Sequence, residues 1–204
     1  MTRWNDVAGG QRAGDRYAAR FDALAASGAD VHGEANLCAS LVPPGSRVLD
    51  AGCGTGRVAV RLAELGYACV GVDVDGSMLD EARRRGPDVP WVRADLAELD
   101  LAAESVPGPF DLVVAAGNVV PLVAGGTEAA VVARMAAHLR TGGLLVAGFG
   151  LDAAHLPLAS APVDLDVYDR WCRAAGLTLR HRFATWDAEP YGGGGYAVSV
   201  HERG

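Results

Sequence analysis

The residues best suited to chemistry lie in one stretch, RVLDAGCGTGRVAVRLAELG, from Arg47 to Gly66. An apolar, β-branched run ends in Asp50, glycines follow at 52, 54 and 56, and a helical spacing of apolar residues then begins. Glycines between a strand's end and a helix's start let a ligand reach backbone N–H groups and the positive end of the helix. A triphosphate cradle needs lysine and then serine or threonine at the helix start, where this chain has Arg57 and Val58. The dinucleotide fingerprint G-x-G-x-x-G would put its third glycine at position 57, which is arginine. What stands is G-x-G-x-G, which leaves a ligand without phosphate as the third choice. Asp73 comes 21 residues after Gly52, where a carboxylate can accept both hydroxyls of a ribose. Alone it is ambiguous, because NAD-binding domains use an acid there too. Cys38, Cys53, Cys69 and Cys172 show no C-x-x-C spacing, so the usual zinc and dithiol signatures are missing.

The elements that must position these residues alternate. The pattern predicts strand 47–51, helix 55–65, strand 68–73, helix 75–85 with Asp75 at its N-cap, and strand 90–93. A weakly structured segment containing PGP leads to strand 111–116, helix 127–140, strand 144–149 and helix 165–175. Strand, helix, strand at this spacing means parallel strands with crossover helices. LTLRHRFATWD and GYAVSVHER, with only AEPYGGGG between them, read as an antiparallel hairpin. Before Val42, Tyr17, Phe21 and Leu24, then Ala35, Leu37 and Leu41, suit two helical pieces broken near SGADVHG, a cap on the sheet. The chain is therefore read as a single domain, 1–204, with a helical arm over 1–41 and an α/β core over 42–204.

Four separated motifs, VLDAGCGTGR, VGVDVDGSML, VRADLAEL and FDLVVAAGNVVPLV, agree in order and spacing with one family. The sequence resembles the class I S-adenosylmethionine-dependent methyltransferases over nearly its whole length. The resemblance implies a seven-stranded Rossmann-like sheet, mostly parallel, with a C-terminal antiparallel hairpin, helices on both faces and an N-terminal helical cap. It implies S-adenosylmethionine as cofactor. Gly52, Cys53 and Gly54 would approach its methionine part, and Asp50 would reach the ammonium, directly or through water. Asp73 would take the ribose hydroxyls, Asp95 would accept from the adenine amino group with Leu96 N–H facing the ring, and Val74 and Met78 would touch the adenine face. Tyr17 resembles the arm tyrosine that many relatives place near the cofactor carboxylate. Plainer roles exist: Asp50 capping the turn, and Met78 as core.

Methyl transfer is an in-line displacement that needs alignment and, for some acceptors, a base. No catalytic residue is fixed by the motifs. Asn118, just past the fourth strand, is a candidate for orienting cofactor or acceptor. His155, in the fifth strand's exit loop, is a candidate base, since imidazole ionises near neutral pH; the plainer reading is a solvated histidine. His32 and Glu34 in the arm would close on the cofactor or polarise an acceptor, or simply start a helix. Trp186 and Tyr191 would line an acceptor pocket or pack the hairpin. The tetraglycine 192–195 should begin at the cofactor edge of the sheet, as a permissive loop or a mobile flap.

With 204 residues, 50% of them hydrophobic, the chain can build a sizeable core. A net charge of −7, with no basic cluster beyond Arg83–Arg85, argues against a general grip on nucleic acid or anionic membrane. GNVVP lacks the N-P-P-Y-like element of amino-methylating nucleic-acid enzymes. No apolar signal core or membrane-length run is present, so the expectation is a cytoplasmic protein acting on a small-molecule acceptor, with no nucleic-acid, membrane or metal partner; a homodimer is compatible with it. Two rivals stand beside it. One is a regulatory subunit that binds the cofactor without transfer; the other is an NAD-dependent oxidoreductase, disfavoured by Arg57 and by the lack of a Tyr-x-x-x-Lys pair.

Overall fold

The computed structural model describes residues 2–7, 13–106 and 108–204. The arm carries α1 (Arg3–Val7), α2 (Ala13–Ala26) and α3 (Gly33–Leu41). The core follows as β1 (Arg47–Ala51), α4 (Arg57–Glu64), β2 (Ala68–Asp73), α5 (Gly76–Arg85) and β3 (Trp91–Arg93), then a 3-10 turn at Leu96–Glu98. It continues with β4 (Phe110–Ala115), α6 (Val119–Leu122), α7 (Glu128–Ala137), β5 (Leu139–Gly150), α8 (Leu165–Ala174), β6 (Leu177–Phe183) and β7 (Tyr196–Arg203). The seven strands form one sheet in the order β3-β2-β1-β4-β5-β7-β6. Pairs among β1 to β5 are parallel, and β7 runs antiparallel to both β5 and β6.

The central strands are apolar on both faces, as strands covered by helices must be. Leu49, Val72, Val113 and Leu145 face one core with α7 and α8; Val48, Leu112, Val114 and Val146 face the other with α3 and α4. The strand order reverses between β1 and β4, and the crevice above their carboxyl ends is where an open wound sheet takes its ligand.

Three features depart from the sequence pattern. Helix α7 ends at Ala137 and β5 begins at Leu139, five residues before the predicted strand. The extension pairs Leu139 with Phe110, after which the register shifts before Leu144 meets Leu112. Gly142, at φ +72°, allows the bulge. Helices α1 and α6, of five and four residues, are too short to leave a periodic signal. The β6–β7 connection is also not a simple hairpin. Residues 189–191 fold back on the outer edge of β6, with Ala184 N–H donating to Glu189 O at 2.7 Å and Tyr191 N–H to Arg182 O at 3.2 Å. The tetraglycine then crosses the end of β6 to bring β7 in between β5 and β6. This covers part of an otherwise free sheet edge.

Candidate cofactor and acceptor site

One cavity lies at the carboxyl ends of the parallel strands, enclosing about 920 Å³ of empty space counted out to its open mouth. The strand order lays its walls out as a sequence: Asp95 and Leu96 after β3, Asp73 and Val74 at β2, Asp50 and Gly52 at β1, Ala116 and Gly117 after β4. Three strand spacings separate the two ends, roughly 14 Å. Of the predicted cofactor residues, Tyr17, Asp50, Gly52, Cys53, Gly54, Asp73, Val74, Met78, Asp95 and Leu96 all line it.

At β1, Asp50 is almost fully buried and its Oδ2 accepts from Ala59 N–H at 3.1 Å. Burial pushes its carboxyl up to about 7, against the pull of that N–H and of nearby Arg57. The glycine turn is pinned to β2 by Gly52 and Cys53 N–H, which donate to Val72 O at 2.8 and 2.9 Å. Gly52 sits at φ +73°, and a Cβ there would lie 2.6 Å from Val119 Cγ2. Gly56 sits at φ +79°, with a Cβ clashing at 2.5 Å with the Trp91 ring. Any side chain at either position would be both strained and obstructed.

At β2, each oxygen of Asp73 takes one backbone donor: Oδ2 from Gly54 N–H and Oδ1 from Asp75 N–H, both at 2.8 Å. Burial raises its carboxyl and those two N–H groups oppose the rise. Asp73 therefore ties the glycine turn to the start of α5 while keeping a free lone pair on each oxygen. Asp75 is the N-cap of α5, as expected, accepting from Ser77 N–H. Met78 is buried yet faces the cavity, so core and wall are the same residue here. Asp95 caps the 3-10 turn by accepting from Ala97 N–H at 2.9 Å.

The arm closes one side. Tyr17 packs against Phe21 at 4.9 Å and edge-on to Trp4 at 6.5 Å between centroids. Trp4 Nε1–H donates to Asp75 Oδ2 at 2.9 Å. Arg57, which broke both phosphate fingerprints, lies 4.5 Å over the Phe21 ring and binds Glu34 through both terminal nitrogens, and Val31 O accepts from it as well. It is the only lysine or arginine among the described residues lining the cavity. A pyrophosphate would meet Asp50 and Asp73 with no free cation. A zwitterion joined to a ribose and a planar ring finds, in order, the Asp50 acid, the two Asp73 acceptor oxygens, and the apolar faces of Val74 and Met78 beside Asp95.

The catalytic candidates fare differently. Asn118 is corrected: it does not line the cavity, and its side chain is spent on the β5 exit loop, Oδ1 accepting from Gly150 N–H at 2.7 Å and Nδ2 donating to His155 O at 3.1 Å. Its φ of +69° turns it there, which residue type alone does not reveal. Glu34 is committed to Arg57. His32 precedes α3 without a side-chain cap, and its Nδ1 is buried with no hydrogen-bond partner among the described residues. His155 pairs with Asp152 at 2.7 Å. Trp186 lies over Gly148 and donates to Tyr196 Oη at 2.9 Å, while Tyr191 closes on its own loop at Gly194 O. The sequence reading missed Thr2, Trp4, Thr55, Arg57 and Val58 as wall residues, whereas Val119, Leu122 and Val123 lie in the segment 117–126 that the strand order is expected to deliver to this crevice. Trp4 belongs to a helix too short to see; Arg57 was legible only as a broken motif.

Residues 48–143 match the methyltransferase domain family. The demethylmenaquinone methyltransferase of Mycobacterium sp. (strain KMS) is 39% identical over 139 residues, 65% of this chain and 55% of that protein. The ribosomal protein L11 methyltransferase of Ralstonia pickettii is 34% identical over 174 residues, 82% of this chain and 54% of that protein. The chain thus spans about half the length of these curated relatives. Among solved structures, the TehB-like SAM-dependent methyltransferase of Corynebacterium glutamicum is 32% identical with a TM-score of 0.83, covering 94% of this chain and 98% of that one. The CcbJ methyltransferase of Streptomyces caelestis shares the fold at 24% identity, with a TM-score of 0.72 over 84% of this chain and 88% of its own. With the sheet order, the glycine turn and the three strand-end acids in agreement, the chain belongs to the class I S-adenosylmethionine-dependent methyltransferases.

Proposed function

We propose that the protein transfers the methyl group of S-adenosylmethionine to a small-molecule acceptor. The observation that carries this is the row of three acids at the ends of β1, β2 and β3 along a cavity whose one cation among the described residues is already paired. When bound, the cofactor supplies a methyl group activated by a sulfonium. The chain's own residues bind and orient: Asp50 takes the ammonium, Asp73 the ribose hydroxyls, Asp95 and Leu96 N–H the adenine edge, and Val74 and Met78 the adenine faces, while Tyr17 and Trp4 shut out water from the arm side. A small acceptor is supported by the net charge of −7, which suits neither nucleic acid nor anionic membrane. No helix among the described residues is long and apolar enough to cross a membrane, and the four cysteines are free and buried, in keeping with a reducing, cytoplasmic setting.

Incubation with methyl-labelled cofactor and fractionated cell extract tests the proposal. Label should pass to a low-mass fraction with matching S-adenosylhomocysteine. Label in protein or RNA would overturn the acceptor class, and cofactor binding with no S-adenosylhomocysteine formed with any fraction would favour the regulatory subunit.

A further inference from the structure

One hydroxyl on the cavity wall serves no purpose in the fold itself. Thr2 lines the cavity at 6% exposure, and its Oγ1 is buried with no hydrogen-bond partner among the described residues. It stands just before α1, where a threonine hydroxyl ordinarily accepts from a backbone N–H of the first helical turn, yet it takes none. Only the Thr2 carbonyl serves that turn, accepting from Asn5 N–H at 3.1 Å. A buried hydroxyl left unpaired is costly, and an apolar side chain of the same shape would avoid the cost. Folding therefore does not account for a threonine here.

The segment around Thr2 is fastened to two walls. Arg3 N–H donates to Val123 O at 3.4 Å, and Arg3 Nη1 donates to Pro121 O at 3.1 Å and pairs with Glu128 Oε1 at 2.8 Å. Glu128 is itself buried and accepts from Gly126 N–H at 2.8 Å through its other oxygen. On the other wall, the Trp4 indole reaches Asp75, two residues beyond Asp73. Glu128 opens α7, which packs on the 3-10 turn beginning at Leu96, and Val123 shares an apolar cluster with Leu96. These anchors set Thr2 over the half of the cavity bounded by Asp73, Val74, Asp95 and Leu96. Tyr17 Oη stands at the opposite end, 3.8 Å from where a Cβ on Gly117 would lie.

We propose that Thr2 is a cofactor-binding residue whose hydroxyl hydrogen-bonds the nucleoside half of S-adenosylmethionine. The inference rests on the methyltransferase proposal. A hydroxyl both donates and accepts, which suits a nucleoside that offers ring nitrogens as acceptors and amino and ribose groups as donors. Rotation about one side-chain bond exchanges the hydroxyl and methyl of threonine, so turning the hydroxyl to the cavity needs no backbone shift. Because Arg3 and Trp4 hold the backbone before the ligand arrives, the bond is gained at little ordering cost. The bound cofactor in turn adds a tie to α1, on the side where it closes the mouth.

Calorimetry and thermal melts of the full chain test this, with S-adenosylhomocysteine and with 5′-methylthioadenosine, which keeps the nucleoside and lacks the amino-acid part. Thr2→Val, of the same shape without the hydroxyl, should weaken both ligands by the same factor, about three- to tenfold. The unliganded melting temperature should stay level or rise, since an unpaired buried hydroxyl has been removed. Thr2→Ser keeps the hydroxyl and should bind both ligands within about twofold of the unaltered protein. Unchanged affinity in Thr2→Val, a loss for S-adenosylhomocysteine that spares 5′-methylthioadenosine, or a Thr2→Ser as weak as Thr2→Val would each overturn the assignment. A lower unliganded melting temperature in Thr2→Val would do the same, marking the hydroxyl as structural, as would unaltered protein that binds S-adenosylhomocysteine but not 5′-methylthioadenosine. Failure of the unaltered protein to bind S-adenosylhomocysteine would instead overturn the methyltransferase proposal itself.

Discussion

At the scale of single residues, the cavity's acids are under tension between folding and binding. Asp50 has its carboxyl pushed up to about 7 by burial, so without ligand it is largely protonated below neutral pH. An ammonium beside it favours the ionised form. Cofactor affinity should therefore rise with pH through about 7, and binding at pH 6 should release most of one proton, read by calorimetry in buffers of different ionisation heat. Because the folded protein holds a proton here that the unfolded chain has lost above its ordinary carboxylate range, Asp50 makes unliganded stability fall as pH rises from about 4 to about 7. Asp50→Asn should then stabilise the unliganded protein above pH 7 by about 1–3 kcal/mol and weaken S-adenosylhomocysteine binding about ten- to a hundredfold. A variant that lost both stability and binding would mark Asp50 as a structural cap. Asp73 is different, since Asp73→Ala orphans two N–H groups at a cost of about 1–3 kcal/mol each. Asp50 and Asp73 were legible because each closes an apolar strand around the glycine turn, and Asp95 through the family resemblance of the residues after the third strand. The role of Asn118 was not, because it depends on a left-handed backbone turn.

At the scale of elements, the arm decides access. Helix α2 sits on α5, with Arg84–Asp15 and Arg85–Asp22 ion pairs and Gly14 so close that a Cβ would fall 2.3 Å from Ser77 O. The ion pairs are exposed, weak and screened by salt, whereas the glycine contact is steric. Gly14→Val should dislodge α2 and weaken S-adenosylhomocysteine binding about tenfold or more, with hydrogen exchange faster in α2 and unchanged in β1 and β4. Exchange that stayed slow in α2 with normal affinity would remove the arm from the site. The spacing of Tyr17, Phe21 and Leu24 made α2 visible. Nothing in five residues could do so for α1, although its Arg3–Glu128 pair and Trp4–Asp75 bond fasten it across the mouth.

At the scale of the whole molecule, the wound sheet was legible from the alternation of strand and helix, and its order places Asp50, Asp73 and Asp95 on one rim. The path of the β6–β7 connection was not, because pairing of 189–191 with a sheet edge is a tertiary event with no local period. On β7 itself, burial pushes the His201 imidazole down to about 4, partly offset by Asp169. The unfolded chain takes up that proton first, so this group makes stability fall as pH drops from about 6.5 to about 4, opposite in sign to Asp50 over the same window. His201→Gln should therefore leave a stability curve that falls with rising pH across that interval, as read by denaturant melts. The central claim, a cavity built for a phosphate-free nucleoside, is tested most directly by calorimetry of the full chain against S-adenosylhomocysteine and NAD. S-adenosylhomocysteine should bind in the micromolar range and NAD not measurably; NAD binding with none for S-adenosylhomocysteine would contradict it.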